Sequence, residues 1–174
     1  PRIIETAVLG GWRWTLMSRI RGEMACAETY RTDPHRLVQE LASVLRSLWD
    51  IDITGCPVDQ SPDAKLSRAS KTVESGGVNM ELVDPATFGE GGFSSPAELL
   101  HWLESNKPPF EPVLTHGDFC LPNVFLHDWR LAGLLDLGRS GLGDKWTDIA
   151  ICWRTLRDNF GGHYGEAVAG FHPD

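Results

Sequence analysis

Apolar positions along this chain alternate at first and then fall into helical steps. Residues 2–8 (RIIETAV) and 12–20 (WRWTLMSRI) are rich in β-branched and aromatic side chains and flank Leu9-Gly10-Gly11. That pattern predicts two strands joined by a tight turn. Two strands alone bury little surface, so the pair reads as the end of a larger sheet. Arg21-Gly22-Glu23 breaks the alternation. Leu37, Val38, Leu41, Val44, Leu45, Leu48 and Trp49 then recur at three- and four-residue steps, which puts them on one face of a core helix. Asp33-Pro34 supplies its N-cap and first helical residue.

Gly55-Cys56-Pro57 closes that unit, and a second, more polar helix is predicted over 63–75. Residues 76–95 are Gly-rich and irregular and carry Glu81, Asp84 and Glu90, as in a solvated connection or a functional loop. Ser95-Pro96-Ala97-Glu98 has the form of a capping box and opens a helix to about 106, with Leu99, Leu100, Trp102 and Leu103 as core residues and His101 at its surface. Pro108-Pro109 ends it. A strand follows at Val113, then a loop, then a hairpin turning at Asp128-Trp129-Arg130. A last helix is predicted over 148–160, stopped by Gly161-Gly162.

The 174 residues suffice for one domain with a core, and a hydrophobic share of 41% argues against wholesale disorder. The net charge of −8 makes nucleic acid a poor partner, because phosphate neutralisation needs clustered Lys and Arg. It suits a cationic ligand better, although moderate acidity also serves solubility alone. Cys26, Cys56, Cys120 and Cys152 are widely spaced and form no C-x-x-C pair, so reduced thiols in a cytoplasmic protein are expected rather than a zinc site or disulfide framework. No apolar run is long enough for a membrane span and nothing resembles a signal peptide, so no membrane partner is expected. The chain begins at Pro1 rather than Met, as a processed form or a fragment would.

The chemistry concentrates between Leu114 and Asp148. His116-Gly117-Asp118 is followed five residues after the Asp by Asn123, and Asp136-Leu137-Gly138 comes thirteen residues after the Asn. Protein kinases carry H-R-D-x-x-x-x-N and then D-F-G, with the same Asp-to-Asn spacing. Asp118 would accept the hydrogen bond of an attacking hydroxyl. Asn123 and Asp136 would offer hard oxygen donors to Mg²⁺, which keeps several waters and leans on the phosphates. Without that role they read as turn and strand-end polar residues. Imidazole suits zinc better than Mg²⁺, so His116 reads as a structural brace. Arg139 could pair with a carboxylate or phosphate, and Asp148 with a helix start or the loop.

In three segments (THGDFCLPNVFL, GLLDLGRSGLGDKWTDIA and WTLMSRIRGEMAC) the chain resembles the aminoglycoside 3′-phosphotransferases, antibiotic kinases with a protein-kinase-like fold. The resemblance covers nearly the whole chain and is loosest between about 61 and 110. It implies an α+β fold, the C-terminal lobe of a protein-kinase-like fold, mostly helical with short β hairpins. Residues 1–20 would be the last hairpin of the N-terminal lobe and the hinge. Residues 21–174 would be the catalytic and substrate-binding lobe, incomplete at its C-terminus.

The resemblance further implies transfer of the γ-phosphate of ATP or GTP, with Mg²⁺, to a hydroxyl of an aminoglycoside. Backbone groups of Ser18 and Ile20 would hold the nucleotide base. Asp118 would be catalytic and Asn123 and Asp136 would hold the metal, supported by His116, Arg139 and Asp148. Acids of the 76–95 loop, Asp84 and Glu90, would meet the cationic sugar. So would Arg154, Asp158 and Asn159 on the last helix, where Arg154 and Asp158, four residues apart, also fit a plain surface ion pair. Thr87, Gly89 and Asn159 stand where relatives often carry carboxylates, and the chain ends at Phe171-His172-Pro173-Asp174, before the acidic C-terminus of the family. Neither a GxGxxG loop nor a V-A-I-K-like lysine occurs here, which is the pattern of a non-catalytic fragment. A kinase of another small alcohol, such as choline or an amino sugar, would use the same central residues.

Overall fold

The structure is a computed structural model and describes residues 1–161. In chain order it contains β1 (Ile3–Leu9), β2 (Trp12–Met17), β3 (Glu23–Met24), α1 (Pro34–Trp49), β4 (Asp59–Gln60), α2 (Pro62–Glu74) and α3 (Pro96–Ser105). Then follow β5 (Pro112–Thr115), β6 (Val124–His127), β7 (Arg130–Leu134), β8 (Gly141–Asp144) and α4 (Lys145–Phe160). The strands form three small sheets, ordered β1-β2, β3-β6-β7 and β4-β8-β5. No helix among the described residues is long and apolar enough to cross a membrane.

The hairpin turns at Gly10 and Gly11, both at positive φ. Its second strand stops at Met17 rather than at residue 20. Ser18 N–H still donates to Arg2 O at 2.8 Å, but Ile20 leaves the ladder to lie buried against the bare Cα of Gly133. Ile4, Val8, Leu16, Trp12 and Trp14 are exposed, and among the described residues no other element packs extensively on the pair.

The core forms where α1 meets α4 and the segment from Phe119 to Leu126. Leu37, Val38, Leu41, Val44 and Leu45, the predicted face of α1, are buried with Phe119, Leu121, Val124, Leu126, Ile149, Cys152 and Leu156. Each buried aliphatic contributes roughly 1.5–3 kcal/mol relative to exposure. Leu48 and Trp49 pack against this cluster without entering it. Asp33 caps α1 by accepting the amide of Arg36 at 3.0 Å. Tyr30 ties distant parts of the core, its hydroxyl donating to Leu126 O at 2.8 Å.

Three helices depart from expectation at their ends or faces. α2 starts at Pro62, capped by Ser61, one residue before the predicted start. α3 has its Ser95 cap, but Glu98 returns to Ser94 rather than to the Ser95 amide, so the reciprocal half of the box is missing. The apolar face of α3 stays open: Trp102 is 50% exposed and its neighbour is Phe93, 5.8 Å away between ring centroids. α4 begins at Lys145, capped by Asp144, so Asp148 lies within its first turn rather than at its cap. Gly161 ends that helix at φ 75°; Gly162 and the terminal Phe171-His172-Pro173-Asp174 lie outside the described residues.

Candidate active site

Two loops meet at one end of the small sheets because of strand register. Thr115, the last residue of β5, faces Gly141, the first of β8, so the loop after β5 and the loop before β8 share that end. Val124 faces Leu134, and Leu135 N–H donates to Asn123 O at 2.9 Å. Asn123 and Asp136 therefore flank the same end of the β6–β7 hairpin. Asp136 sits at φ 56°, ψ 56°, a left-handed conformation that Asp tolerates better than most residues. Ser140 Oγ donates to Thr115 O at 2.7 Å and Thr115 Oγ1 to Gly141 O at 3.0 Å, which fastens the two loops. Gly117, at φ 82°, lies against the Arg139 carbonyl, which a Cβ would approach to 2.1 Å. Only glycine allows this contact.

The backbone of Asp118 is held from three sides. Its N–H donates to His116 Nδ1 at 3.3 Å, and its carbonyl accepts from Asn123 Nδ2 at 3.0 Å and from Cys120 N at 2.8 Å. None of these bonds uses the Asp118 carboxylate, which is half-buried. Burial pushes the Cys120 thiol pKa up, and the Asp118 carboxylate and then Asp136 push it further, against backbone hydrogen bonds that lower it.

Asn123 gives its Nδ2 to the Asp118 carbonyl, leaving Oδ1 as an acceptor. That amide oxygen and the exposed Asp136 carboxylate are hard donors at one hairpin end, a set that fits Mg²⁺ completed by water and phosphate oxygens. No group of three or more His, Cys, Asp or Glu side chains among the described residues could hold a metal, so the closed cage of a structural zinc is not built here.

Beneath the loop lies Asp148, fully buried. Its Oδ2 accepts the His116 amide at 2.7 Å and its Oδ1 the Gly117 amide at 2.8 Å. Burial raises its pKa above the ordinary 3.8, and the two backbone bonds, His116 and Lys65 pull the other way. His116 is also buried, edge-on to Phe119 at 5.9 Å, and its Nε2 has no hydrogen-bond partner among the described residues. Its contacts are those of a brace.

Ser18 and Ile20 line a cavity of about 500 Å³ with Arg21, His127, Arg130 and Leu131. His127 and Arg130 form the far end of the β6–β7 hairpin. Four strand residues at ~3.4 Å each set this cavity roughly 14 Å from Asn123.

The expected sugar-binding residues do not converge in this structure. Asp84 accepts the Ala86 amide at 2.9 Å and so caps its own short turn of 3₁₀ helix, while Glu90 is exposed farther along the same loop. The Arg154–Asp158 pair does not form: Asp158 pairs with the adjacent Arg157, Nε to Oδ1 at 3.4 Å, and Arg157 also lies over Trp153. Arg154 is exposed on α4. Asn159 turns back on its own helix, Nδ2 donating to Thr155 O at 2.8 Å, and its carbonyl accepts from Arg31 at 2.9 Å. Lys65 and Arg68 of α2 come up to Gly117 and Arg139 instead. Their only mark in the sequence is a three-residue spacing that puts them on one helical face.

With this geometry in view, the comparisons with known proteins are specific. The model of the phosphotransferase enzyme family matches residues 1–172. The aminoglycoside 3′-phosphotransferase of Niallia circulans is 36% identical over 162 residues, which are 92% of this chain and 60% of that protein. That of Enterococcus faecalis is 34% identical over 164 residues, 92% of this chain and 61% of the relative. The chain thus spans about 60% of the length of these relatives. Among solved structures, an aminoglycoside 3′-phosphotransferase of type VIII superposes with a TM-score of 0.76 at 28% identity, covering 97% of this chain and 64% of that one. A Streptomyces rimosus aminoglycoside phosphotransferase, solved with ADP and streptomycin, gives 0.72 at 26% identity, covering 100% of this chain and 70% of that one. The fold is α+β, that of the C-terminal lobe of these kinase-like enzymes.

Proposed function

Because the chain belongs to the phosphotransferase enzyme family, we propose that it carries the catalytic lobe of an aminoglycoside 3′-phosphotransferase. The reaction is transfer of the γ-phosphate of ATP or GTP to an aminoglycoside hydroxyl, which would confer resistance to the antibiotic. One observation carries this reading: Asp118, Asn123 and Asp136, scattered over nineteen residues of sequence, are gathered at one end of two packed loops. Residues 1–20 are then the last hairpin of the nucleotide-binding lobe and the hinge, and 21–174 the catalytic and acceptor-binding lobe.

Asp118 orients the attacking hydroxyl and accepts its hydrogen bond; its fixed backbone and uncommitted carboxylate suit that task. Asn123 Oδ1 and the Asp136 carboxylate would hold Mg²⁺, which would supply positive charge against the transferring phosphoryl group. Asp148 and His116 keep the loop in register. Ser18 and Ile20 hold the base, and the distance along the β6–β7 hairpin is comparable to the reach of a nucleoside triphosphate. The four cysteines are free thiols, in keeping with a cytoplasmic site where the nucleotide is abundant.

A second reading, a kinase of another small hydroxylated amine, gains support from the acceptor side. Asp158 is paired with Arg157 and Asn159 is folded onto its helix, so these two positions of the last helix offer a polycationic sugar no unpaired carboxylate. The test, in a version carrying both lobes, is ATP-dependent phosphate transfer to kanamycin and neomycin, with choline in parallel. Asp118→Asn should lower kcat by at least ~100-fold with nucleotide affinity nearly unchanged. Near-normal turnover in that variant would remove Asp118 from catalysis, and transfer to choline alone would select the second reading.

A further inference from the structure

We propose that the recess lined by Gln60, Lys65, Arg68, Gly117 and Arg139 is a binding site for a phosphate oxyanion, free or as a monoester. The chain carries a net charge of −8, yet among the described residues this cavity of about 380 Å³ is lined by three cationic side chains and no carboxylate. Such a concentration of one sign in a concave site focuses its field and draws the opposite charge.

Two of the cations, Lys65 and Arg68, come from α2 and are held in place, and the third comes from the loop before β8. Lys65 Nζ donates to Thr147 Oγ1 at 2.8 Å, and Arg68 donates to Gln60 Oε1 at 2.6 Å across the recess. Arg139 enters from the other loop, where its backbone closes on Gly117. The ion pairs formed between the described residues take none of the three. The acids nearest Lys65 are otherwise engaged: Asp148 accepts two backbone amides, and Asp144 caps α4 through the Trp146 amide. Burial lowers the Lys65 pKa and Arg68 adds to this, while Asp148 and Asp144 raise it. An oxyanion would relieve the Lys65–Arg68 repulsion and meet two guanidinium groups suited to phosphate.

Two sources share this chemistry. Free orthophosphate is one. The other is the phosphate monoester of a phosphorylated product, since Gly117 adjoins Asp118. That second identification rests on the proposed function; the anion site itself does not. The test therefore uses neither nucleotide nor acceptor. The ¹⁵N-labelled 174-residue chain is titrated with inorganic phosphate, then with glucosamine 6-phosphate, at constant ionic strength.

Saturable shifts of the Gly117 and Arg139 amides are expected for at least one ligand. Tighter binding of the ester points to product, and equal or tighter binding of orthophosphate points to free phosphate. Arg68 is exposed, so Arg68→Gln and Arg68→Glu should leave the fold and its spectrum intact. The first should weaken binding about tenfold and the second abolish it. Lys71→Gln, on the same helix outside the recess, should change nothing. Absence of saturable shifts at Gly117 and Arg139 in the unsubstituted chain, or unchanged affinity in Arg68→Glu, overturns the proposal.

Discussion

Asp148 holds Gly117 by its backbone: the carboxylate Oδ1 accepts the Gly117 amide at 2.8 Å while Oδ2 takes the neighbouring amide of His116. A buried charge is thereby spent on two N–H groups that the tight loop leaves without other partners. The same contact joins α4 to the end of β5, immediately before Asp118. The geometry of the loop thus depends on a residue thirty positions away from Asp118 in sequence.

Asp148→Ala should be severely destabilising, by about 2–5 kcal/mol, because two buried amides lose their acceptor and a small cavity opens. Asp148→Asn keeps one acceptor and sets an amide donor against the second N–H, so about 1–3 kcal/mol is expected. The pH dependence separates the variants further. Burial raises the folded pKa of Asp148 above 3.8, so the folded chain holds this proton more tightly than the unfolded chain. Its titration contribution is fully present below the unfolded pKa and is lost as pH rises through the folded one. The stability gap between wild type and Asp148→Asn should therefore narrow from about pH 4.5 to about pH 7.5. Urea midpoints at both pH values measure it, and a widening gap would contradict the raised pKa.

Gly117 and Gly138 should respond very unequally to alanine. A Cβ at Gly117 would meet the Arg139 carbonyl at 2.1 Å and sit at positive φ, so Gly117→Ala should cost more than about 2 kcal/mol or displace the loop. At Gly138 the nearest atom is Asp136 Oδ1 at 3.6 Å, so Gly138→Ala should stay within about 0.5 kcal/mol. Thermal denaturation of the two variants gives the comparison.

The metal assignment predicts unequal losses. Asp136→Ala removes the charged donor and should abolish Mg²⁺-dependent turnover, whereas Asn123→Ala should raise the Mg²⁺ concentration needed for half-maximal rate. Asn123→Ala also removes one of the two hydrogen bonds to the Asp118 carbonyl, so a drop in kcat at saturating Mg²⁺ should accompany it. Metal titrations of activity distinguish these effects, and an unaltered metal requirement in Asp136→Ala would exclude that residue.

Binding of a polycationic acceptor should weaken with salt, since exposed charge pairs are screened within about 8–10 Å at physiological ionic strength. Asp84→Asn removes a charge while keeping a good cap for its turn, so affinity should fall and stability should not. Asp158→Asn should change affinity less than about twofold, because Arg157 already offsets that carboxylate. Calorimetry with kanamycin at two salt concentrations tests all three statements.

The sequence reading succeeded where a local rule decides the outcome. Asp33-Pro34 and Ser95-Pro96 start helices as their capping chemistry requires, and the face of α1 is buried where its spacing puts it. Asp118, Asn123 and Asp136 were legible as neighbours because each lies near a strand end, and the register brings them to one end of the hairpin, while their roles belong to the proposed function. It failed where long-range pairing decides. β4 has two residues and exists only because Asp59 and Gln60 lie beside Leu142 and Gly143. The start of α4 was hidden because two acids, Asp144 and Asp148, compete for the cap, and burial claims the second for the loop. Arg154 and Asp158 have ion-pair spacing, but Arg157 reaches Asp158 first. Lys65 and Arg68 meet Arg139 only through the packing of α2 beside the loops.

The β1–β2 hairpin has a consequence for the order in which this molecule comes apart. Its ladder is closed by its own turn and by Ser18 on Arg2, and it shares little surface with the rest. Two strands without a covering layer open at little free-energy cost. Its amide protons should therefore exchange with solvent long before those of β5, β6 and β8. Ile20, buried against Gly133, marks the boundary between the two regimes. The described chain then behaves as two cooperative units joined at one residue. A denaturant that frays the first leaves Asp118 and its neighbours in place, so loss of the base-side cavity and loss of the catalytic loop become separable events on an exchange time course.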